Sequence, residues 1–334
     1  MNLIDYKKIK KVLIIRIGKI GDIIISSFVF RSIKEENPEI KIELITLKKN
    51  KDVLRFNPFL DKIYFINKNI FSLTKILPLH FNDYDLIIDL NDNPSTTSSI
   101  LLFLLRAKKK LGFNFEKQKK YLTHAIDYPD KNKTHLVERY AHILQSSSGL
   151  KLNPEIIKPE LFVDSQIDQY IKEKLSEIKS NHKIVAINIS AGAEIRKYPA
   201  VRWIELINSL ITKYSHLKFL VLSDPGDKNE FELIIQSIDK NYVINVEGST
   251  FQHFACKIKN SDLLITPDTS AVHIASAFQV PVIALYPNVD WNFVSFAPYR
   301  TKFRSIRSSD EEIKNISVTE IVTEFESLIQ EINW

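Results

Sequence analysis

The stretch VLIIRIGKIGD, residues 12–22, decides how the rest of the chain is read. Residues 12–15 form a short apolar run, too brief for a helix and suited to a strand buried on both faces. The loop RIGKIGD follows. Residues 23–34 then place Ile24, Phe28 and Ile33 at helical spacing. Strand, glycine-bounded loop and helix open an α/β unit whose ligand edge is the carboxyl end of the strand. Asp22 stands at that edge, where the helix begins. A carboxylate there can take a proton from a hydroxyl nucleophile, or it can cap the helix. Gly18 and Gly21 let the backbone approach a ligand closely.

The same alternation runs outward from this stretch. Residues 40–47, 62–66 and 85–90 read as further strands, the last ending in the polar loop NDNPSTTS. The apolar run ILLFLL precedes the basic cluster RAKKKLGFNFEKQKK, residues 106–120, which reads as a helix ending near Arg106 and a short strand through 111–113. Residues 136–150 are helical, with Gly149 as C-cap. Residues 151–164 carry two prolines and no clear periodicity, and read as a linker. The pattern then restarts with a strand at 183–189 and the loop SAGAEIRKY. Pro199 opens a helix with Trp203, Leu206, Ile207 and Leu210 as its apolar stripe. Strands at 218–222, 242–246, 262–266 and 280–286 alternate with helices to 238 and over 251–260 and 270–278. A last helix over 317–333 opens on a Ser317/Glu320 capping box. Buried strands alternating with helices predict two α/β units with parallel sheets and a ligand cleft between them.

Composition narrows the function. The length of 334 residues suits about two domains. A single cysteine, Cys256, excludes a disulfide framework and a Cys-rich zinc module. The longest apolar run has six residues, far short of the roughly 20 a membrane helix needs. The opening MNLIDYKKIKK has no signal-peptide pattern, so the cytoplasm is the expected compartment. The net charge of +6 fits composition bias or attraction to an anionic partner. No GxxxxGK[ST] occurs. Gly18-Lys-Ile-Gly21 is not GxGxxG, and the second strand ends in Ile-Thr-Leu rather than an acidic residue, which argues against dinucleotide chemistry. No HExxH or His/Cys cluster suggests zinc. Asp83-Tyr-Asp85 is formally a DxD, but it sits at the mouth of an apolar strand and makes a weak metal candidate.

Two further segments carry chemistry. TPDTSAVH, residues 266–273, follows a strand and opens a helix, a natural anion site. Asp268 can accept from sugar hydroxyls, Thr269 and Ser270 can contact phosphate, and His273 suits a phosphate contact or a local cap. In the loop at 190–199, Gly192, Arg196 and Lys197 suit a pyrophosphate clamp, or else form a solvated basic loop.

In order and spacing these segments resemble glycosyltransferase family 9, the heptosyltransferase family of lipopolysaccharide core assembly, over almost the whole chain. The segments that carry it are VLIIRIGKIGD, DYDLIIDLNDN, AKKKLGF, HLVERYAHIL, ISAGAEIRKYPAVRW, SDPGDKNE and LLITPDTSAVHIASAFQVPVIALY. The resemblance implies an α/β GT-B fold, two Rossmann-like domains facing a central cleft. It places an acceptor-side domain at 1–160, a nucleotide-sugar domain at 161–316, and a helix at 317–334 packing back on the first domain. It implies inverting, metal-independent transfer without a cofactor, from a nucleotide sugar, usually ADP-heptose, to an anionic lipid A–core acceptor. Peripheral association with the inner face of the inner membrane fits that acceptor, and nucleic acid does not. Another nucleotide sugar, a protein acceptor, or a non-catalytic nucleotide-sugar-binding assembly protein are the alternatives. By motif, Asp22 would be the general base and Lys197 would neutralise the leaving diphosphate. Asp268 and Thr269 would hold the donor, and Asp227 is a weaker match for a ribose contact. The sequence departs from the family at Ser270, where Gly is usual, and at Glu194 and Ile195 in the basic loop.

Overall fold

The computed structural model describes residues 3–67, 69, 74 and 76–334. It divides into two units, Met1–Phe162 and Val163–Trp334, two residues beyond the boundary expected from sequence. In the first unit the elements run β1 Lys11–Ile15, α1 Ile20–Ser26, α2 Phe28–Glu36, β2 Lys41–Leu47, α3 Lys51–Leu54, β3 Lys62–Ile66, β4 Tyr84–Asp89, α4 Thr96–Leu104, β5 Ala107–Phe113, β6 His124–Ile126 and α5 Leu136–Ser148. The strands pair in parallel in the order β3-β2-β1-β4-β5-β6. Val12 to Ile15 are fully buried because helices cover both faces of β1.

The helix expected over 23–34 is two helices. The Ser26 and Ser27 hydroxyls donate to the carbonyls of Ile23 and Ile24 at 3.1 and 2.7 Å. Such back-bonding competes with the helical ladder and bends it. The chain turns at Ser27, whose hydroxyl also accepts from the Glu160 amide at 2.7 Å. Gly149 ends α5 at φ 71°, the left-handed C-cap expected from sequence.

In the second unit the elements run α6 Ser165–Lys179, β7 Lys183–Asn188, α7 Ala200–Lys213, β8 Leu217–Leu222, α8 Lys228–Ser237, α9 Phe251–Lys259, β9 Leu263–Pro267, α10 Ser270–Phe278, β10 Val282–Tyr286, α11 Asp290–Phe296, β11 Phe303–Arg307 and α12 Val318–Glu331. The sheet is again parallel, in the order β11-β10-β9-β7-β8. The strand expected at 242–246 is a single bridge from Val243 to Phe219. A 3-10 turn over Lys240–Tyr242 uses up its start, and Gly248 at φ 108° turns the chain away.

The final helix is Val318–Glu331. Its Ser317/Glu320 capping box forms as expected. Its buried stripe of Ile321, Val322, Phe325 and Leu328 lies in one core with Trp203, Leu206, Ile207 and Leu210 of α7. That apolar face is buried within the core of the second unit. Trp203, the largest fully buried side chain, meets Tyr198 edge-on at 4.9 Å.

Candidate functional site

In each sheet the strand order reverses direction beside the first strand of the unit, between β1 and β4 and between β7 and β9. At such a switch point the loops leave in opposite directions and open a crevice at the strand carboxyl ends. Both crevices carry the candidate residues.

In the first unit Asp22 sits in the first turn of α1. Its Oδ2 accepts from the Lys19 amide at 2.6 Å, which satisfies one orphan donor of the helix start. Its Oδ1 lies 3.1 Å from Nη2 of Arg16. Capping and chemistry are therefore not alternatives here, because one carboxylate oxygen caps and the other is held by a cation. Arg16 is 2% exposed and its Nη1 donates to Asp92 Oδ1 at 3.1 Å. The Asp22 contact is an ion pair without hydrogen-bond alignment, so Nη2 keeps an unfilled donor. Burial alone would lower the pKa of this guanidinium. Tyr140, Asp22 and Asp92 outweigh it and raise the pKa, so Arg16 stays charged.

The loop is fixed from β2 and β4. Asn91 Oδ1 accepts from the Ile17 amide at 2.9 Å, and Asn50 Nδ2 donates to the Gly18 carbonyl at 3.1 Å. A Cβ on Gly18 would lie 2.6 Å from both Cβ and Oδ2 of Asp22. Gly18 is thus required by the fold of Asp22 over its own loop. Gly21 falls inside α1. Arg16, Asn91 and Asp92 were not singled out from sequence. The available signal was a lone arginine directly after an apolar strand, and the polar NDN loop.

In the second unit the tight cluster is Arg196, Asp268 and Asn292. Arg196 Nη1 lies 3.2 Å from Asp268 Oδ2 and donates to the Asp268 carbonyl at 3.2 Å. Its Nη2 donates to Asn292 Oδ1 at 3.3 Å, and Asn292 Nδ2 donates back to Asp268 Oδ2 at 2.6 Å. Arg196 therefore braces Asp268 in this arrangement, and its charge is already matched. Lys197 behaves differently. Its Nζ is 3.5 Å from Glu194 Oε2 and 3.9 Å from Asp227 Oδ1, and the side chain is 43% exposed. Exposed pairs of this kind are worth about 0–1 kcal/mol, so Lys197 can move onto an anion cheaply. Glu194, a departure from the family pattern, is its local counter-ion.

Thr269 caps α10 through the Ala271 amide at 3.2 Å. Asn188, at the end of β7, donates to Thr266 Oγ1 at 2.9 Å and Thr269 Oγ1 at 3.3 Å, tying the two strand ends together. Ser270 is half-buried at the first position of the helix. The positive end of α10 faces this crevice. A Cβ on Gly192 would meet nothing within 4 Å, so its backbone is open. Asp227 precedes α8 without capping it, which leaves its carboxylate facing Lys197.

His273 is buried. Burial, then the charge of Arg196, pushes its pKa down to about 3. It is neutral at pH 7, so any phosphate contact it makes is that of a neutral imidazole. The unfolded chain binds this proton below about pH 6.5 and the folded chain does not, so stability rises with pH between about 3 and 6.5. Lowering the pH from 7 to 5 is expected to cost about 2 kcal/mol through this group. Urea titrations of His273→Gln should show a correspondingly flatter pH dependence than the parent chain. An unchanged slope would rule the group out.

Asp83-Tyr-Asp85 lies at the opposite, amino end of β4. Asp85 accepts from the Lys10 and Lys11 amides at 2.8 and 3.1 Å and pairs with Lys108 at 2.7 Å. It joins strand starts and has no place in either crevice. Among the described residues, no group of three or more His, Cys, Asp or Glu side chains is arranged to hold a metal ion, and no helix is long and apolar enough to cross a membrane.

Two Rossmann-like parallel sheets in one chain, each with polar residues gathered at its switch point, define the GT-B class of α/β protein. The structure of a glycosyltransferase family 9 protein from Veillonella parvula matches 99% of this chain and 100% of its own, with a TM-score of 0.83 at 17% identity. The Escherichia coli ADP-heptose lps heptosyltransferase II matches 97% and 100%, with a TM-score of 0.76 at 17% identity. In sequence, lipopolysaccharide heptosyltransferase 1 of Campylobacter coli is 24% identical over 295 residues, 83% of each chain. The pattern of glycosyltransferase family 9 (heptosyltransferase) matches residues 72–324. The chain belongs to glycosyltransferase family 9.

Proposed function

We propose that this chain transfers a heptose from ADP-heptose, with inversion and without a metal ion, onto an anionic lipopolysaccharide-core acceptor. The observation that carries the reading is the pairing of chemistries at the two switch points: a held carboxylate in one unit, and a helix N-terminus with a loosely paired lysine in the other. An inverting displacement needs both. The acceptor hydroxyl oxygen attacks the anomeric carbon while its proton passes to Asp22. The bond from that carbon to the β-phosphate oxygen breaks, and its electron pair leaves with ADP. Lys197 and the amides of α10 offset the charge that develops on the diphosphate. Asp268, fixed by Arg196 and Asn292, accepts from donor hydroxyls, and Asp227 from the ribose. The names of the relatives point to heptose and ADP, and the net charge of +6 suits an anionic acceptor.

The test is a panel of nucleotide diphosphates and their sugars. ADP and ADP-heptose, at 100 times their dissociation constants, should raise the unfolding free energy by about 2.7 kcal/mol, while UDP and GDP do not. ADP should then be released from ADP-heptose only when a heptose-accepting core lipid is added. Stabilisation by UDP-sugars instead, or binding of ADP-heptose with no transfer to any core acceptor, would overturn the assignment.

A further inference from the structure

Both oxygens of Asp22 are held, and from different parts of the fold. The Lys19 amide donates to Oδ2 at 2.6 Å from within the same loop. Nη2 of Arg16 lies 3.1 Å from Oδ1, and Arg16 directly follows β1. The second contact does what the first cannot. The terminal torsion of an aspartate is broad, so one backbone hydrogen bond leaves the plane of the carboxylate free to rock. A cation on the other oxygen stops that motion. The Asp22 side chain is still 20% exposed, so a ligand in the first crevice can reach it.

Arg16 is itself fixed from three sides. Its amide donates to the Ile45 carbonyl at 3.0 Å, which continues the ladder between β1 and β2. Its Nη1 donates to Asp92 Oδ1 at 3.1 Å, on the loop after β4. The Tyr140 ring of α5 lies against the guanidinium. With its side chain buried, Arg16 meets no ligand directly. Stability does not account for the arrangement. A buried ion pair regains about what it loses in solvation, and apolar residues of the same volume often serve a core as well. Asp92 alone would also balance the charge. The second carboxylate is the one at the start of α1, where a base is needed.

We propose that Arg16 is a positioning residue for the reaction: held by β2, Asp92 and Tyr140, its Nη2 fixes the plane of the Asp22 carboxylate for the attacking hydroxyl of the acceptor. The inference rests on Asp22 acting as the general base, and it adds how that base is kept in line.

Steady-state kinetics of single and double variants test it. Arg16→Met should lower kcat by about 10–100-fold, the loss that follows a misplacement of about 1 Å. The KM for the donor and the affinity for ADP should not change, because Arg16 touches neither. Arg16→Lys keeps a cation beside Asp22 and loses the two-armed fork, so its kcat should lie only about three- to tenfold below the parent. The comparison that decides is made in the Asp22→Asn chain, which has no base to align. There each Arg16 variant should change kcat by less than about twofold, since residues that act as one unit are not additive. A merely structural role predicts equal losses in both chains. Equal losses, or a variant with the kcat of the parent, would overturn the proposal. Circular dichroism shows whether Arg16→Met folds. If it does not, the same cycle with Arg16→Lys decides by the same criteria. Asp22→Asn alone with the turnover of the parent would remove the proposed base, and this inference with it.

Discussion

Asp22→Asn is expected to lower turnover by about 10²–10⁴-fold while ADP affinity stays within a factor of about two, the loss typical of removing a positioned general base. The substitution isolates the proton-accepting role. Asparagine keeps the shape of the side chain, and its carbonyl oxygen can still accept from the Lys19 amide. What disappears is the negative charge that faces Arg16. Arg16 retains Asp92, so the loop keeps a counter-ion. The readouts are the rate of ADP release at saturating donor and acceptor, and calorimetric titration with ADP. Turnover near that of the parent chain would remove Asp22 from the reaction. A loss of ADP binding as large as the loss of turnover would show that the substitution had disturbed the fold.

Arg16→Ala is expected to destabilise the first unit by about 3–5 kcal/mol, because it leaves two carboxylates without the cation that was buried between them. The geometry makes this larger than an ordinary surface pair. Arg16 is 2% exposed, and its guanidinium also lies 5.6 Å from the centre of the Tyr140 ring. Arg16→Met keeps most of the packing and removes only the charge, so it separates the two contributions. A double-mutant cycle with Asp92→Asn then gives the coupling between the pair. Urea denaturation followed by far-ultraviolet circular dichroism supplies the free energies. A loss below about 1 kcal/mol for Arg16→Ala would place the pair among solvent-screened contacts.

These two residues show where reading the sequence stops. Asp22 was legible because its signal is local: a glycine-bounded loop between an apolar run and a helix. Arg16 was not singled out, though it lies six residues earlier, because nothing nearby in sequence says what a lone arginine after a strand will meet. The second unit repeats the lesson. The strand-to-helix pattern singles out Asp268 and Thr269 as candidates, and the basic loop singles out Arg196 and Lys197. Their different fates were not legible. Arg196 is drawn into Asp268 and Asn292, while Lys197 stays loosely paired and exposed. Asn188 and Asn292 carry no pattern at all, since a single asparagine at a strand end or in a short helix is compatible with many roles. Helices α6 and α11 were missed for a related reason. Of the 15 residues in α6 only Ile171 and Leu175 are buried, too few to form a periodic signal.

The placement of the last helix exposes a different limit. Its length, its cap and its apolar stripe follow from residues 317–331, and all three are present. Which core receives the stripe does not follow from them. A stripe of Ile321, Val322, Phe325 and Leu328 fits any apolar surface of the right width, and here that surface is α7 beside β10 and β11.

By itself the sequence determined two parallel α/β units, the loops at their strand ends, and the residue types those loops present. Periodicity, caps and turns act over about four residues, so each leaves a local trace. Only the tertiary structure decided which of those residues meet. Arg16 and Asp92 are 76 positions apart, Arg196 and the Asp268 carbonyl 72, and Asn188 and Thr266 78. Parallel neighbours must be joined by long crossovers, so the strands on either side of a switch point are never close in sequence. Their juxtaposition is set by the order in which buried strands pack, and that order fixes the geometry of both crevices.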